Sequence, residues 1–215
     1  MKLKVCGMKF PDNIEAVAKL QPDYLGFIFY KKSTRFFDAI IPSLPDAIKK
    51  VGVFVDASAE DIITLANNYN LDVIQLHGNQ TKEFVLALNR LVSLYANKEI
   101  EIWKVFSVGK HFNFKDLHPF EDEVHKYLFD TKGQLKGGNG YTFNWEILKE
   151  YPSKKPFILS GGIGLDEVEN IKDFFKLDVS KNCFALDVNS QFEIKSGLKN
   201  IEALEKFKNK LHHFK

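Results

Sequence analysis

The sequence predicts a closed (β/α)8 barrel, an α/β TIM-barrel fold read as a single domain over residues 1–215. Three observations carry that expectation: eight short apolar runs recur along the chain, segments of helical period separate them, and 215 residues suit one small α/β barrel. Runs that are apolar throughout and joined by crossover helices make a parallel sheet covered on its outer face. An open doubly wound sheet is the structural alternative, and a count of eight favours closure.

In chain order the runs, rich in Val, Ile, Leu and Phe, fall at 3–6, 24–29, 51–55, 73–76, 100–106, 127–129, 157–159 and 184–188. Helical period shows at 12–20, with Ile14, Val17 and Ala18 on one face, and at 59–69, with Ile62, Ile63, Leu65 and Ala66. Helix starts are marked by Pro11-Asp12 after strand one, by Ser58 with Asp61 three residues on after strand three, and by Thr81 after strand four. A last helix over 201–213 closes the chain. Strand and helix are expected to alternate throughout, with 107–126, where helix five belongs, the least regular stretch.

Composition narrows the function classes. A formal net charge of +2, with lysines scattered through the helices, offers no nucleic-acid surface but suits a small anionic ligand. No apolar run is long enough to span a bilayer and no signal-peptide pattern opens the chain, so the cytoplasm is the expected location. The 20 phenylalanines point to bulky core packing. Cys6 ends strand one and Cys183 opens strand eight, which sets them roughly 16 Å apart in level. A disulfide needs Cα atoms within about 7 Å, so two free thiols are expected.

In such a barrel the polar residues at the C-terminal strand ends are those that carry chemistry. Here the ends read Lys4-Val5-Cys6-Gly7, Gln75-Leu76-His77-Gly78, Asp130, Ser160-Gly161-Gly162 and Asp187-Val188-Asn189-Ser190. Strand alternation puts Lys4 with Cys6, Gln75 with His77, and Asp187 with Asn189 on common faces, and the groups converge if those faces point inward. Each residue also has a plainer reading. Cys6 alone is a small buried hydrophobe, Asp130 a turn cap, His77 a hydrogen-bonded structural histidine, and Arg35 in the loop after strand two a solvated charge. No second His or Cys stands at metal-ligand spacing, so no metal is expected. The glycine runs Gly137-Gly138-Asn139-Gly140 and Gly161-Gly162-Ile163-Gly164 allow backbone N–H groups close to a phosphate, and loops seven and eight of barrels often hold one.

Taken in order, these segments resemble the phosphoribosylanthranilate isomerase family, from Lys4 to about Asn200. The likeness rests on Lys4-Val5-Cys6-Gly7, Leu25-Gly26-Phe27-Ile28-Phe29, Lys32-Ser33-Thr34-Arg35, Val51-Gly52-Val53-Phe54-Val55, Val73-Ile74-Gln75-Leu76-His77-Gly78, the Gly137 run, and Ser160-Gly161-Gly162-Ile163. It implies a cofactor-free Amadori rearrangement of N-(5-phosphoribosyl)anthranilate in tryptophan biosynthesis. Cys6 is then the general base and Asp130 the general acid. Arg35 is implied as the carboxylate ligand, Gly161 and Gly162 with Asn189 and Ser190 as the phosphate loops, and Gln75, His77 and Asp187 complete the substrate-binding set. The partner is that small molecule, with neither nucleic acid nor membrane, and a homodimer is left open.

Two departures from the family pattern stand out. Asn139 replaces the usual Thr, and the usual Asp-Val-Ser-Ser-Gly-Val-Glu reads Asp187-Val188-Asn189-Ser190-Gln191-Phe192-Glu193, which bears on the strand-eight phosphate groups. Lys4, on the face of Cys6, is a cation expected to lower the thiol pKa. Three other readings stay open: an indole-glycerol-phosphate synthase, for which Lys104 on strand five would be the catalytic lysine; a ribulose-phosphate epimerase, whose metal set is not visible; and a non-catalytic barrel that senses a phosphorylated metabolite.

Overall fold

The structure is a computed structural model and describes residues 1–131 and 142–212. The Gly137–Gly140 run, with Asn139, lies outside the described residues. Eight parallel strands close into a barrel in sequence order: β1 (Lys2–Val5), β2 (Tyr24–Ile28), β3 (Lys49–Phe54), β4 (Val73–Leu76), β5 (Glu101–Val108), β6 (Lys126–Thr131), β7 (Phe157–Leu159) and β8 (Cys183–Val188). Closure is made by β1 pairing with β8, Lys4 beside Asp187 and Val5 beside Val188.

Side-chain alternation sorts these strands into two apolar sets. Tyr24, Val51, Val73, Trp103, Val105, Leu128, Ile158 and Ala185 pack together as one buried cluster, separate from the larger one beneath the helices. Cross-strand register puts Val51 beside Val73, and Leu128 beside Ile158, which in turn neighbours Ala185. This is the filled interior of the barrel. Two residues further along the same strands come Val53, Gln75, Asp130, Ser160 and Asp187, on the same inward face by the period of two. The floor is therefore apolar and the layer above it largely polar.

The helices α1 (Pro11–Lys19), α2 (Ala59–Asn68), α3 (Lys82–Tyr95), α4 (Val168–Phe174) and α5 (Ile201–His212) pack outside. Their starts follow the sequence signals. Pro11 occupies the first turn of α1, Ser58 Oγ accepts the Asp61 N–H at 3.1 Å, and Thr81 Oγ1 accepts the Phe84 N–H at 3.3 Å.

At three crossings the expected alternation is thinner. Between β2 and β3 no helix forms among residues 29–48, where Pro42 and Pro45 remove backbone donors that a helix would need. The buried Phe37 covers the barrel there instead, against Phe27, Phe29 and Tyr69. After β5 a short 3₁₀ segment, Phe114–Phe120, contains Pro119, and Phe106, Phe112, Phe120 and Phe129 form a ring-on-ring layer. A second 3₁₀ segment, Trp145–Glu150, precedes β7. Bulky rings thus do the covering that helices do elsewhere, which accounts for part of the phenylalanine excess.

Candidate active site

A cavity of about 470 Å³ opens at the C-terminal ends of the strands. The residues assigned catalytic and substrate-binding roles by the family resemblance border it: Cys6, Arg35, Gln75, His77, Asp130, Gly161, Gly162, Asp187, Asn189 and Ser190. They arrive from six strand ends, because inward positions two residues apart on neighbouring strands rise together to the mouth.

Cys6 directly follows β1 and its backbone N–H donates to Val188 O at 2.8 Å, so the closure of the barrel fixes its height. The thiol is buried, and burial pushes its pKa up; Lys4 pulls the other way without reversing the shift. The cation expected to activate the thiol is therefore present but outweighed by burial. Lys4 itself is fully buried and its Nζ donates to Asp187 Oδ1 at 2.8 Å. Burial acts against its charge, yet Asp187 and Cys6 more than compensate and its pKa is raised. Asp187 uses its other oxygen to accept from Ser160 Oγ at 3.2 Å. Cys183 is the second free thiol, buried and pushed up to about 12 by desolvation.

Across the cavity Asp130, next to last in β6, has Oδ2 3.3 Å from His77 Nε2, while Oδ1 accepts the Thr131 N–H at 3.0 Å. Gln75 is buried and its Oε1 has no hydrogen-bond partner among the described residues, leaving an acceptor at the cavity wall. An orphan acceptor of this kind costs about 1–3 kcal/mol unless a donor reaches it.

At the rim, loop seven turns through Gly161 and Gly162, with φ of 87° and 71°. A Cβ on Gly161 would come within 2.3 Å of Thr131 Oγ1, so glycine is required there on both conformational and steric grounds. The departures in loop eight have structural partners. Asn189 Oδ1 accepts from Lys199 Nζ at 2.7 Å, and Gln191 packs over Gly164, where a Cβ would sit 3.1 Å from the glutamine's own.

The sequence reading passed over two charged residues beside this rim. After β8 the chain forms a small antiparallel hairpin, β9 (Glu193–Lys195) and β10 (Leu198–Lys199). Glu193 accepts from Arg35 and from Lys199. Glu193 stood in the strand-eight motif with no role attached, and a lysine next to a helix start gives no sign of being buried. Lys104 aims its Nζ at the carbonyls of Gly78 and Val105, at 2.8 and 3.2 Å.

The sequence model for N-(5'-phosphoribosyl)anthranilate (PRA) isomerase matches residues 3–210. The chain belongs to the phosphoribosylanthranilate isomerase family. Among curated members, the N-(5'-phosphoribosyl)anthranilate isomerase of Parabacteroides distasonis is 37% identical over 99% of this chain and 94% of its own length. The phosphoribosyl anthranilate isomerase structure from Thermotoga maritima superposes with a TM-score of 0.77 at 26% identity, covering 99% of both chains. That from Thermus thermophilus reaches 0.82 at 24% identity over the whole of both chains, a likeness of fold. Family membership and barrel architecture are thus reached independently, from sequence and from backbone shape.

Proposed function

We propose that this chain is a phosphoribosylanthranilate isomerase of tryptophan biosynthesis, with Cys6 as general base and Asp130 as general acid. It converts N-(5-phosphoribosyl)anthranilate into 1-(2-carboxyphenylamino)-1-deoxyribulose 5-phosphate by an Amadori rearrangement. One observation carries the assignment of roles: Cys6 just after β1 and Asp130 on β6 border one cavity whose rim holds a cation on one side and a glycine turn on another.

In this reading the two anionic ends of the substrate are held apart, its carboxylate by Arg35 and its phosphate by backbone N–H groups around Gly162 and Ser190. Two separated anchors stretch the sugar between acid and base and convert binding into orientation. Asp130, protonated, gives its proton to the ring oxygen as the anthranilate nitrogen pushes the C1–O bond open to an iminium. Cys6, as thiolate, removes the C2 proton to leave an enolamine, which tautomerises to the ketone. Gln75, His77 and Asp187 line the space where the sugar hydroxyls pass, and Gln75 Oε1 is an acceptor awaiting one. The reaction needs no cofactor, and the cytoplasm is the assigned location. No described helix is long and apolar enough to cross a membrane.

The test is turnover of N-(5-phosphoribosyl)anthranilate, followed by anthranilate fluorescence. Cys6→Ser and Asp130→Asn are each expected to lose nearly all activity while still binding the ketone reduced to the alcohol. A Cys6→Ser enzyme that keeps a substantial fraction of wild-type turnover would move the base elsewhere, with His77 first in line.

A further inference from the structure

We propose that Glu193 is a positioning residue whose buried carboxylate aims the Arg35 guanidinium at the substrate's carboxylate. The inference rests on the reading of Arg35 as the carboxylate anchor and adds the group that orients it. Arg35 leaves the loop after β2 on a side chain with several rotatable bonds, so without a partner its charge would sweep the rim of the cavity. Glu193 removes that freedom. Its Oε1 accepts from Arg35 Nε at 2.9 Å and its Oε2 from Nη2 at 2.7 Å, a side-on pair that uses one edge of the guanidinium. Nη1 has no partner among the described residues, and Arg35 borders the cavity with 15% of its side chain exposed. The end-on edge is thus left for a ligand carboxylate, which guanidinium geometry binds with two parallel hydrogen bonds.

The carboxylate is itself held in place. Only 5% of the Glu193 side chain is exposed, and Oε1 also accepts from Lys199 Nζ at 2.8 Å and from the Gly197 N–H at 3.0 Å. Lys199, fully buried, spends its remaining hydrogen bonds on Asn189. Gly7, with φ of 73°, lets the loop after β1 pass between the two: a Cβ there would sit 2.8 Å from Arg35 Cδ and 2.6 Å from Asn189 Oδ1. Arg35 is consequently pressed from one side and tethered on the other, so its orientation is set before any ligand arrives.

Glu193→Gln tests the idea because it discriminates between the two oxygens. A glutamine oxygen at the place of Oε1 keeps the bonds from Lys199 and Gly197, whereas the amide NH2 at the place of Oε2 faces the Nη2 donor and turns the guanidinium away. Two stable ligands are titrated calorimetrically: 1-(2-carboxyphenylamino)-1-deoxyribitol 5-phosphate and the phenylamino compound that lacks the carboxyl. Glu193→Gln is expected to weaken the first about ten- to hundredfold, the range of hydrogen bonds to charged groups, and the second less than threefold. In an Arg35→Ala background the substitution adds nothing to either. Equal weakening of both ligands, or of neither, overturns the proposal. Should the wild type itself fail to prefer the carboxylated ligand, it is the reading of Arg35 that falls, and the inference with it. If Glu193→Gln does not fold, Glu193→Asp gives the same comparison, since its side chain is one methylene shorter and draws the carboxylate back from the guanidinium, and the same two-ligand pattern is required of it.

Discussion

Replacing Lys4 with methionine probes the electrostatics beneath Cys6 with little change of shape. Lys4 is fully buried, 2.8 Å from Asp187, and removing it leaves a carboxylate in the interior with, among the described side chains, only the Ser160 hydroxyl bonded to it. Breaking a buried pair on one side costs about 3–5 kcal/mol. For a chain of this size each kcal/mol moves the melting temperature by about 2–4 °C, so Lys4→Met is expected to melt roughly 6–20 °C lower. Protonation of Asp187 limits the loss and draws it toward the smaller figure. The pKa of Lys4 is raised, so its contribution is full below the unfolded-state value of 10.5 and fades only as pH climbs past the still higher folded value. The deficit is therefore complete at pH 7 and does not depend on narrow control of pH. Lys4 is also the main group drawing the Cys6 pKa down, so its loss raises that pKa further and slows alkylation of Cys6 by iodoacetamide at a fixed alkaline pH. Cys183, pushed up to about 12, contributes little to the signal. In Lys4→Met/Asp187→Leu the stability loss is largely recovered and the alkylation shift shrinks, because the Asp187 charge that raises the Cys6 pKa is removed along with the Lys4 charge that lowers it. A single variant that melts with the wild type and alkylates on the same pH profile would refute a charged Lys4–Asp187 pair under the thiol.

Two further substitutions address the rim and the far end of the barrel. Arg35→Lys keeps the charge but not the second hydrogen bond to a ligand, so KM rises at least tenfold while kcat changes less; an unchanged KM in steady-state kinetics rejects Arg35 as the carboxylate anchor. Asp72 accepts from Lys98 at 2.9 Å and from the Lys50 N–H at 2.7 Å; burial opposes its charge, but these bonds outweigh it and hold its pKa below 3.8. Its contribution is present above the unfolded value and lost as pH falls through the folded one, so Asp72→Asn should flatten the acid limb of thermal stability below about pH 4, and parallel acid limbs would count against it.

Much of the fold could be read from the chain because strand and helix carry different hydrophobic periods. The expected run 73–76 is β4, that at 157–159 is β7, and the others differ by one or two residues at an end, where fraying and partner strands decide. The helix expected between β2 and β3 did not form, because two prolines break any helix there and Phe37 covers the surface alone. The cavity-lining residues were legible for the same reason as the strands: alternation places Cys6, Gln75 and Asp187 inward once the fold is a barrel. The Arg35–Glu193–Lys199 network was not. Its partners come from the second and eighth strand-end loops, and nothing local in a sequence reports a pairing across 158 positions.

The raised pKa of Cys6 has a consequence for the order of events. To remove a carbon-bound proton Cys6 must act as the thiolate, yet burial raises the pKa of the thiol and Lys4 does not overcome it. In the proposed chemistry a second positive charge arises next to the thiol when Asp130 protonates the ring oxygen and the iminium forms. An opposite charge within a few ångströms favours ionisation, so the acid step itself activates the base. Acid and base then act as one unit, and the effects of removing them should not multiply. Cys6→Ser and Asp130→Asn are each expected to lower kcat by about three orders of magnitude or more, and Cys6→Ser/Asp130→Asn to be no more than a few-fold worse than the weaker single variant. Single-turnover fluorescence measures all three on one scale, with the calorimetric Kd for the reduced product confirming that each still binds. A double variant whose loss equals the product of the two single losses would show that Cys6 and Asp130 work independently, and the coupling through the iminium would have to be abandoned.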